Sequence, residues 1–235
     1  MKLKPRQHIW DLISRNNTVE LLQASGQLHG HFCPGLALGV RAGTEMVRRL
    51  QVEHEGFENV IAVVETNNCF SDGIQFTTGC TFGNNALIYR DYGKTAASLV
   101  TRAGKGFRAS LRPDASDVWK EEGGRYRDAY QKVVTEGNRD QESIAYLRSL
   151  SGTPCLAVIG ADLEDLFEIQ PAELEVPEYA KMHRSVSCDR CGERAIETRI
   201  VCGNGDRLCV PCANAAYGQL NGNGISRIGD PDDPV

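Results

Sequence analysis

Two pairs of cysteines near the C-terminus constrain the fold more than any other feature of the chain. Cys188-x-x-Cys191 and Cys209-x-x-Cys212 are separated by seventeen residues. This spacing matches a structural zinc site, in which each CxxC turn places two thiolates on one side of the backbone. Two disulfides are the alternative, but nothing in the chain argues for secretion. The sequence therefore predicts one structural zinc bound by these four cysteines.

The residues around the two pairs predict a treble-clef-like zinc ribbon. Gly192 can close the first turn with a positive φ, and Asn204-Gly205 is a hairpin-turn signal. A short helix is predicted at residues 213–217, and Cys202 is expected to be a buried apolar thiol and not a fifth ligand. So small a segment cannot bury a core, and metal binding must supply most of its folding free energy.

The rest of the 235 residues can form one larger domain. We expect a core at residues 1–178, the four-cysteine zinc ribbon at 179–220, and a disordered tail at 221–235, which is rich in Gly, Asp and Pro.

The order of predicted elements favours an α+β core with a mainly antiparallel sheet and flanking helices. Periodicity and turn signals predict helices at residues 18–24, with Thr18 as N-cap, and at 36–50, 72–78, 125–135 and 140–150, and strands at 60–64, 86–89, 96–101 and 106–111. Thr153-Pro154 is expected to end the helical region.

Composition narrows the possible functions. The net charge of −5 argues against broad binding to a phosphate backbone, so nucleic acid is an unlikely partner. No stretch approaches the roughly 20 apolar residues of a membrane span. The N-terminus lacks the apolar run of a signal peptide, and nine cysteines fit a reducing compartment. These observations predict a cytoplasmic protein without a membrane segment.

A second cluster of potential metal ligands lies in the core region. His29, His31 and Cys33 alternate along the chain, and alternate side chains of an extended backbone project to one face. Imidazole and thiolate both bind transition metals. Cys33 precedes Pro34 and is expected to cap the next helix, where unpaired N–H groups would lower its pKa. These residues form either a metal or reactive-thiol site, or ordinary buried and surface groups.

Further residues could join this cluster if the loops of the core meet. Cys69 and Cys80 are eleven residues apart, with Asp72 and Gln75 between them on one face of a predicted helix. Such a site would surround a cleft with imidazole, thiolate and carboxylate groups. Cys155 lies beside an apolar run and is expected to fill the core.

Four motifs of the core resemble those of the FmdE family, which is named after formylmethanofuran dehydrogenase, across residues 15–175. They are His29-Gly-His-Phe-Cys33-Pro-Gly, Cys69-Phe-Ser-Asp72-Gly-Ile-Gln75, Thr78-Gly-Cys80-Thr-Phe-Gly-Asn84 and Asp91-Tyr-Gly-Lys94. The ribbon is similar to a C-terminal module of some members. The resemblance implies an intertwined homodimer, a cleft that holds the His/Cys cluster, and a link to molybdenum- or tungsten-dependent C1 metabolism.

We therefore expect a metal-binding accessory or metal-handling factor with a protein partner in a molybdenum or tungsten enzyme system. A second transition metal, with zinc as one option, would be bound in the core cleft by His29, His31, Cys33, Cys69 and Cys80. A bound group would be held by Asp72, Gln75 and Lys94. Two alternatives stay open: a dimeric scaffold whose ribbon binds a protein or nucleic acid, and a metal-dependent enzyme of unknown substrate.

The zinc prediction has a direct test in the ribbon. Because metal binding supplies its folding free energy, Cys212→Ser should abolish amide protection across residues 185–217 and leave the core protected. Hydrogen exchange measured by mass spectrometry checks this, with Cys202→Ser as the matched control that retains protection. A Cys212→Ser ribbon that stays protected without zinc contradicts the assignment.

Overall fold

We describe the fold from a computed structural model, which covers residues 4–52, 55–120, 123–203 and 205–229. The chain divides into two compact units, Met1–Pro177 and Glu178–Val235. No helix among the described residues is long and apolar enough to cross a membrane.

The first unit is an α+β domain built on one five-stranded sheet. Its helices are α1 (Gln7–Ser14), α2 (Thr18–His29), α3 (Pro34–Leu50), α4 (Cys69–Thr78), α5 (Gly124–Tyr130), α6 (Gln141–Leu150), α7 (Gly152–Gly160) and α8 (Leu163–Leu166). A 3-10 turn at Ala115–Trp119 and a π-helical turn at Gln131–Thr135 precede and extend α5. The strands are β1 (Val60–Val64), β2 (Leu87–Tyr89), β3 (Ala96–Thr101), β4 (Lys105–Leu111) and β5 (Phe167–Glu173).

The sheet has the strand order β2-β1-β3-β4-β5. Only the β1–β2 pair is parallel, and the other three pairs are antiparallel. All five residues of β1 are buried, as its continuous β-branched run predicts. Helix α3 packs against β3 and β4 and supplies much of the core. The predicted α+β class with a mainly antiparallel sheet is confirmed.

Helices α3 and α4 run side by side in the same direction because glycines line their contact. A Cβ atom added to Gly39 would lie 2.1 Å from the carbonyl oxygen of Phe70, and one added to Gly73 would lie 2.6 Å from the backbone of Gly39. One turn further along, Gly43 faces Thr77 in the same way. The two backbones are therefore in direct contact, and the two helix N-termini lie at the same end.

Several predicted boundaries differ from the structure. Asn17, and not Thr18, caps α2, because its side chain accepts the N–H of Glu20. Helix α4 begins at Cys69, three residues before its predicted start, because Asn68 caps it. Residues 152–160 form α7 where a break was expected, since a proline in the first turn of a helix needs no N–H partner.

The second unit consists of three short hairpins and one helical turn. Its elements are β6 (Ser185–Ser187), β7 (Arg194–Ile196), β8 (Ile200–Gly203), β9 (Asp206–Cys209), α9 (Val210–Ala213), β10 (Tyr217–Asn221) and β11 (Gly224–Ile228). The antiparallel pairs are β6–β7, β8–β9 and β10–β11. The helical turn ends at Ala213, before most of the predicted helix, because Asn214 adopts a left-handed conformation.

The chain continues in order beyond the predicted ribbon boundary. Residues 221–228 were expected to be disordered, yet they belong to the β10–β11 hairpin. The Asn221-Gly222-Asn223-Gly224 sequence is a strong turn signal, which average composition does not reveal. Residues 230–235 of the predicted tail, and Asn204 of the predicted turn, lie outside the described residues.

The α3–α4 contact predicts a position-specific effect of adding one methyl group. Gly73→Ala should lower the free energy of unfolding by about 1–3 kcal/mol, because the new Cβ would overlap the backbone of α3. Gly160→Ala is the matched control, since nothing lies within 4 Å of a Cβ at that helical position. Urea unfolding of both variants checks this; equal stabilities would contradict the close backbone contact.

Candidate metal centre

Four side chains of the first unit converge at the N-terminal ends of α3 and α4. The candidate ligand atoms of His29, His31, Cys33 and Cys69 all lie within 4.8 Å of one another. Tetrahedral zinc places its nitrogen and sulfur ligands about 3.3–3.8 Å apart, given bond lengths of about 2.0–2.3 Å. The four donors are thus about 1 Å or less from a two-histidine, two-cysteine site, and small side-chain rotations would close it. We call these four residues the core cluster.

Two helix N-termini position the thiols of the core cluster. Cys33 is the N-cap of α3, as predicted, and its sulfur accepts the N–H of Leu36 at 3.4 Å. Cys69 is the first residue of α4. Because the two helices run in the same direction, the positive ends of both helix dipoles face the cluster, which favours thiolates.

The loop that presents Cys69 is held in place on both sides. Asn68 accepts the N–H of Phe70 at 3.0 Å and so caps α4. At the end of β1, buried Glu65 accepts two hydrogen bonds from Arg108, at 2.7 and 2.8 Å. These contacts fix the chain between the sheet and α4, so the position of Cys69 is set by the fold.

A carboxylate orients the first histidine. The Nδ1 atom of His29 lies 2.7 Å from Oδ2 of Asp72, and Gln75 donates to the other carboxylate oxygen at 3.0 Å. The Nε2 atom of His29 faces the Cys33 sulfur at 3.9 Å. A carboxylate behind a histidine in this way fixes the tautomer that leaves Nε2 free to bind metal. The structure thus places Asp72 and Gln75 behind a ligand, where the sequence suggested direct contact with a bound group.

Cys33 and Cys69 share one proton in the absence of metal. The thiol of Cys33 hydrogen-bonds to Cys69, and this contact, with a further one from His31, lowers the pKa of Cys69 to about 4. The same contact raises the pKa of Cys33, and burial raises it further. The expectation that Cys33 would be the acidic thiol is therefore wrong, because the effect of the Leu36 N–H is smaller than that of the neighbouring thiolate.

Two predicted members lie outside the core cluster among the described residues. Cys80 follows the far end of α4, a ten-residue helix about 15 Å long, so it cannot meet the residues at the helix start. Its sulfur is buried 3.6 Å from the carbonyl oxygen of Val60, and burial raises its pKa to about 11. The exposed Lys94 lies beside Glu65, whose pKa it helps to lower, and does not line the cleft described next.

The core cluster opens into a mainly apolar cleft of about 390 Å³. His31 is the exposed member of the cluster and lines this cleft. The opposite wall carries the aromatic side chains of Trp119, Tyr126 and Tyr130. This wall was not predicted from the sequence, although Tyr126 and Tyr130 are four residues apart on one helix face, the spacing that could have revealed them.

The second unit holds a second cluster, formed by Cys188, Cys191, Cys209 and Cys212, whose sulfur atoms lie within 4.8 Å of one another. Backbone N–H groups of Cys191 and Cys209 donate to the Cys188 sulfur and lower its pKa to about 6. This set of donors fits a structural zinc site.

Contacts outside the four sulfur atoms join the two CxxC turns. The carboxylate of Asp189 accepts hydrogen bonds from the backbone and side chain of Arg207, at 2.7 and 3.0 Å, and Arg190 donates to the carbonyl oxygen of Cys212. Cys202 is exposed on β8 and lies outside the cluster, so the prediction that it is buried is wrong. Cys155 is buried in the core of the first unit, as expected.

A family model described as "FmdE, Molybdenum formylmethanofuran dehydrogenase operon" matches residues 28–168, more than half of the chain. The chain belongs to the FmdE family. The matched region contains the core cluster and the aromatic wall of the cleft, and it ends before the four-cysteine cluster.

Two individual proteins are similar to this FmdE-family chain. A protein of Archaeoglobus fulgidus, described as a probable S-adenosyl-L-methionine-binding protein, is 34% identical over 222 residues, or 91% of this chain. The alignment spans only 58% of the length of that relative. The crystal structure of an FmdE-like protein of tungsten formylmethanofuran dehydrogenase from Syntrophus aciditrophicus matches with a TM-score of 0.51 and 23% identity. The match covers 83% of this chain and 91% of that one, and supports the fold.

The shared proton predicts which thiol of the core reacts first in metal-free protein. Because the pKa of Cys69 is lowered to about 4, it should be a thiolate throughout pH 5–8, and its alkylation rate should change little over this range. Cys155, whose pKa burial raises to about 12, is the unreactive control. Peptide mass spectrometry after iodoacetamide pulses checks this. A Cys69 rate that rises tenfold per pH unit, or faster labelling of Cys33, would contradict it.

Proposed function

We propose that this protein binds a transition metal in the core cluster and acts as an accessory or metal-handling factor in molybdenum- or tungsten-dependent C1 metabolism. Zinc is our first candidate for the core metal. We also propose that the four cysteines of the second unit hold a structural zinc, that the protein is a cytoplasmic homodimer, and that its partner is a component of the same enzyme system.

One observation carries the core-metal proposal: the arrangement of His29 between Asp72 and the two thiols. A histidine that only stabilised the fold would not need its Nε2 directed at a thiol pair while a carboxylate held its Nδ1. Two imidazoles and two thiolates would give a zinc complex no net charge, which favours binding at a largely buried position. Asp72 would strengthen His29 as a ligand from behind.

The two clusters differ in a way that supports distinct roles. In the four-cysteine cluster, one hairpin, one helical turn and several backbone contacts surround the sulfurs, as expected for a metal that stabilises a fold. The core cluster lies within a domain that has its own hydrophobic core, so its metal is not needed for folding. One of its members, His31, is exposed to a cleft. A metal held there would be accessible for exchange or for contact with a ligand, which supports metal handling.

Cobalt substitution provides the test. Full-length protein should bind two Co²⁺ per chain and show thiolate-to-cobalt charge transfer from both sites. In Cys69→Ser, the stoichiometry should fall to one and about half of that intensity should remain. In Asp72→Asn, the affinity of the core site should fall about 10-fold to 100-fold, because its orienting carboxylate is lost.

Cys80→Ser is the matched control for these variants, since Cys80 is buried away from the core cluster. It should retain both cobalt ions. If wild-type protein and Cys69→Ser bind the same number of ions with the same spectrum, the core cluster is not a metal site. The scaffold function would then be the better explanation.

A second candidate function, binding of S-adenosyl-L-methionine, is favoured by the archaeal relative, whose similarity covers 91% of this chain. Equilibrium dialysis of the labelled compound against full-length protein tests it. Saturable binding of one molecule per chain would support this function, and no binding at millimolar concentration would reject it.

A further inference from the structure

The cleft beside the core cluster has the size and composition of a small-molecule site. Its volume of about 390 Å³ lies in the range of known ligand pockets, and its lining is mainly apolar with a few polar groups. These polar groups are not spread evenly. The core cluster lies at one end, while Lys120 and Arg127 contribute cationic side chains to the lining.

The aromatic wall favours a flat ligand. Trp119, Tyr126 and Tyr130 line the cleft, and the two tyrosine rings have centroids 6.1 Å apart with an interplanar angle of 35°. Burial raises the pKa of both tyrosines, so their hydroxyl groups stay protonated and can donate hydrogen bonds at neutral pH. Tyr130 is 43% exposed although it is large and partly apolar. A planar ring bound here would cover that surface and gain stacking contacts.

The two cations favour a negative group on the ligand. Lys120 pairs with Asp117 at 2.9 Å, and Arg127 lies 3.8 Å from Asp128. All four of these side chains are at least 60% exposed. Exposed pairs of this kind contribute little stability, so either cation can turn to an anionic ligand at low cost.

The metal-binding end of the cleft is held less firmly at His31 than at His29. Within the described part of the chain, His31 contacts the His29 ring and hydrogen-bonds to Cys69, but no carboxylate holds it in place as Asp72 holds His29. His31 is also the exposed member of the core cluster. It is therefore the position at which a donor atom from the cleft would most easily reach the site.

We propose that the cleft binds a planar aromatic molecule with an anionic group at one end and a sulfur or nitrogen donor at the other. The ring lies against Trp119, Tyr126 and Tyr130, the anionic group pairs with Lys120 or Arg127, and the donor atom faces the core cluster at His31. This inference rests on the proposed function, because it requires a metal in the core cluster.

A series of simple probes separates the three determinants. The full probe is 4-mercaptobenzoate, which has a ring, a carboxylate and a sulfur donor. Benzoate lacks the sulfur, 3-mercaptopropionate lacks the ring, and thiophenol lacks the carboxylate. Full-length, cobalt-loaded protein is titrated with each under a phosphine reductant, and binding is followed by the cobalt spectrum and by tryptophan fluorescence. We expect 4-mercaptobenzoate to bind at least about tenfold more tightly than each incomplete probe.

Variants at exposed positions localise the binding without endangering the fold. Tyr130→Leu should weaken 4-mercaptobenzoate about fivefold through lost ring contacts, and Arg127→Gln about threefold through lost charge pairing. Tyr146→Leu is the matched control, because Tyr146 is an exposed tyrosine of α6 outside this cleft. It should bind the probe as the wild type does.

Failure of this inference and failure of the proposed function give different results. Cobalt stoichiometry is measured first: one ion per chain would mean that the core cluster binds no metal, and both proposals would fall. Two ions per chain, with no binding of 4-mercaptobenzoate, would overturn the cleft inference alone. Equal affinities for wild type, Tyr130→Leu and Tyr146→Leu, or for all four probes, would overturn it as well.

Discussion

The direct contact between α3 and α4 is the constraint on which the core site depends. Gly39 and Gly73 allow the two backbones to touch, and the shared direction of the helices brings both N-termini to one end. Cys33 caps one helix and Cys69 begins the other. A larger residue at either glycine would separate the helices along their whole length, and with them the two thiols.

This arrangement also explains the electrostatics of the core cluster. Two helix dipoles direct their positive ends at one pair of thiols, while the pair itself is largely buried. The protein responds by keeping a single negative charge, with Cys69 as thiolate and Cys33 as its hydrogen-bond donor. A bound metal would replace the shared proton and allow both thiols to ionise. Metal affinity should therefore depend on the relative position of two helices and on the Asp72–His29 contact behind them.

The two clusters use similar donors for different ends. In the second unit, the spacing of the cysteines and the Asp189–Arg207 contact draw a short chain around a closed set of four sulfurs. In the first unit, a complete hydrophobic core exists without the cluster, and one side of the cluster faces an aromatic cleft. The first arrangement suits a metal that holds a fold together. The second suits a metal that takes part in binding, which is the basis of the proposed accessory role in an FmdE-family protein.

The sequence by itself determined what depends on local spacing. The two CxxC pairs, the buried strand at Val60–Val64 and the capping position of Cys33 before Pro34 follow from residues within a few positions of one another. These signals are local because knuckles, strands and helix caps form from short-range geometry. The tail hairpin was missed for the opposite reason: average composition concealed a specific turn.

Only the tertiary structure decided which distant residues meet. Cys69 and Cys80 were equivalent candidates in the sequence, but they lie at opposite ends of α4, and only the first reaches Cys33. The place of Asp72 behind His29, and of the tyrosines of α5 opposite the core cluster, likewise depends on how separate helices pack. Side-chain contacts across tens of residues are fixed by that packing and leave no periodic signal in the chain.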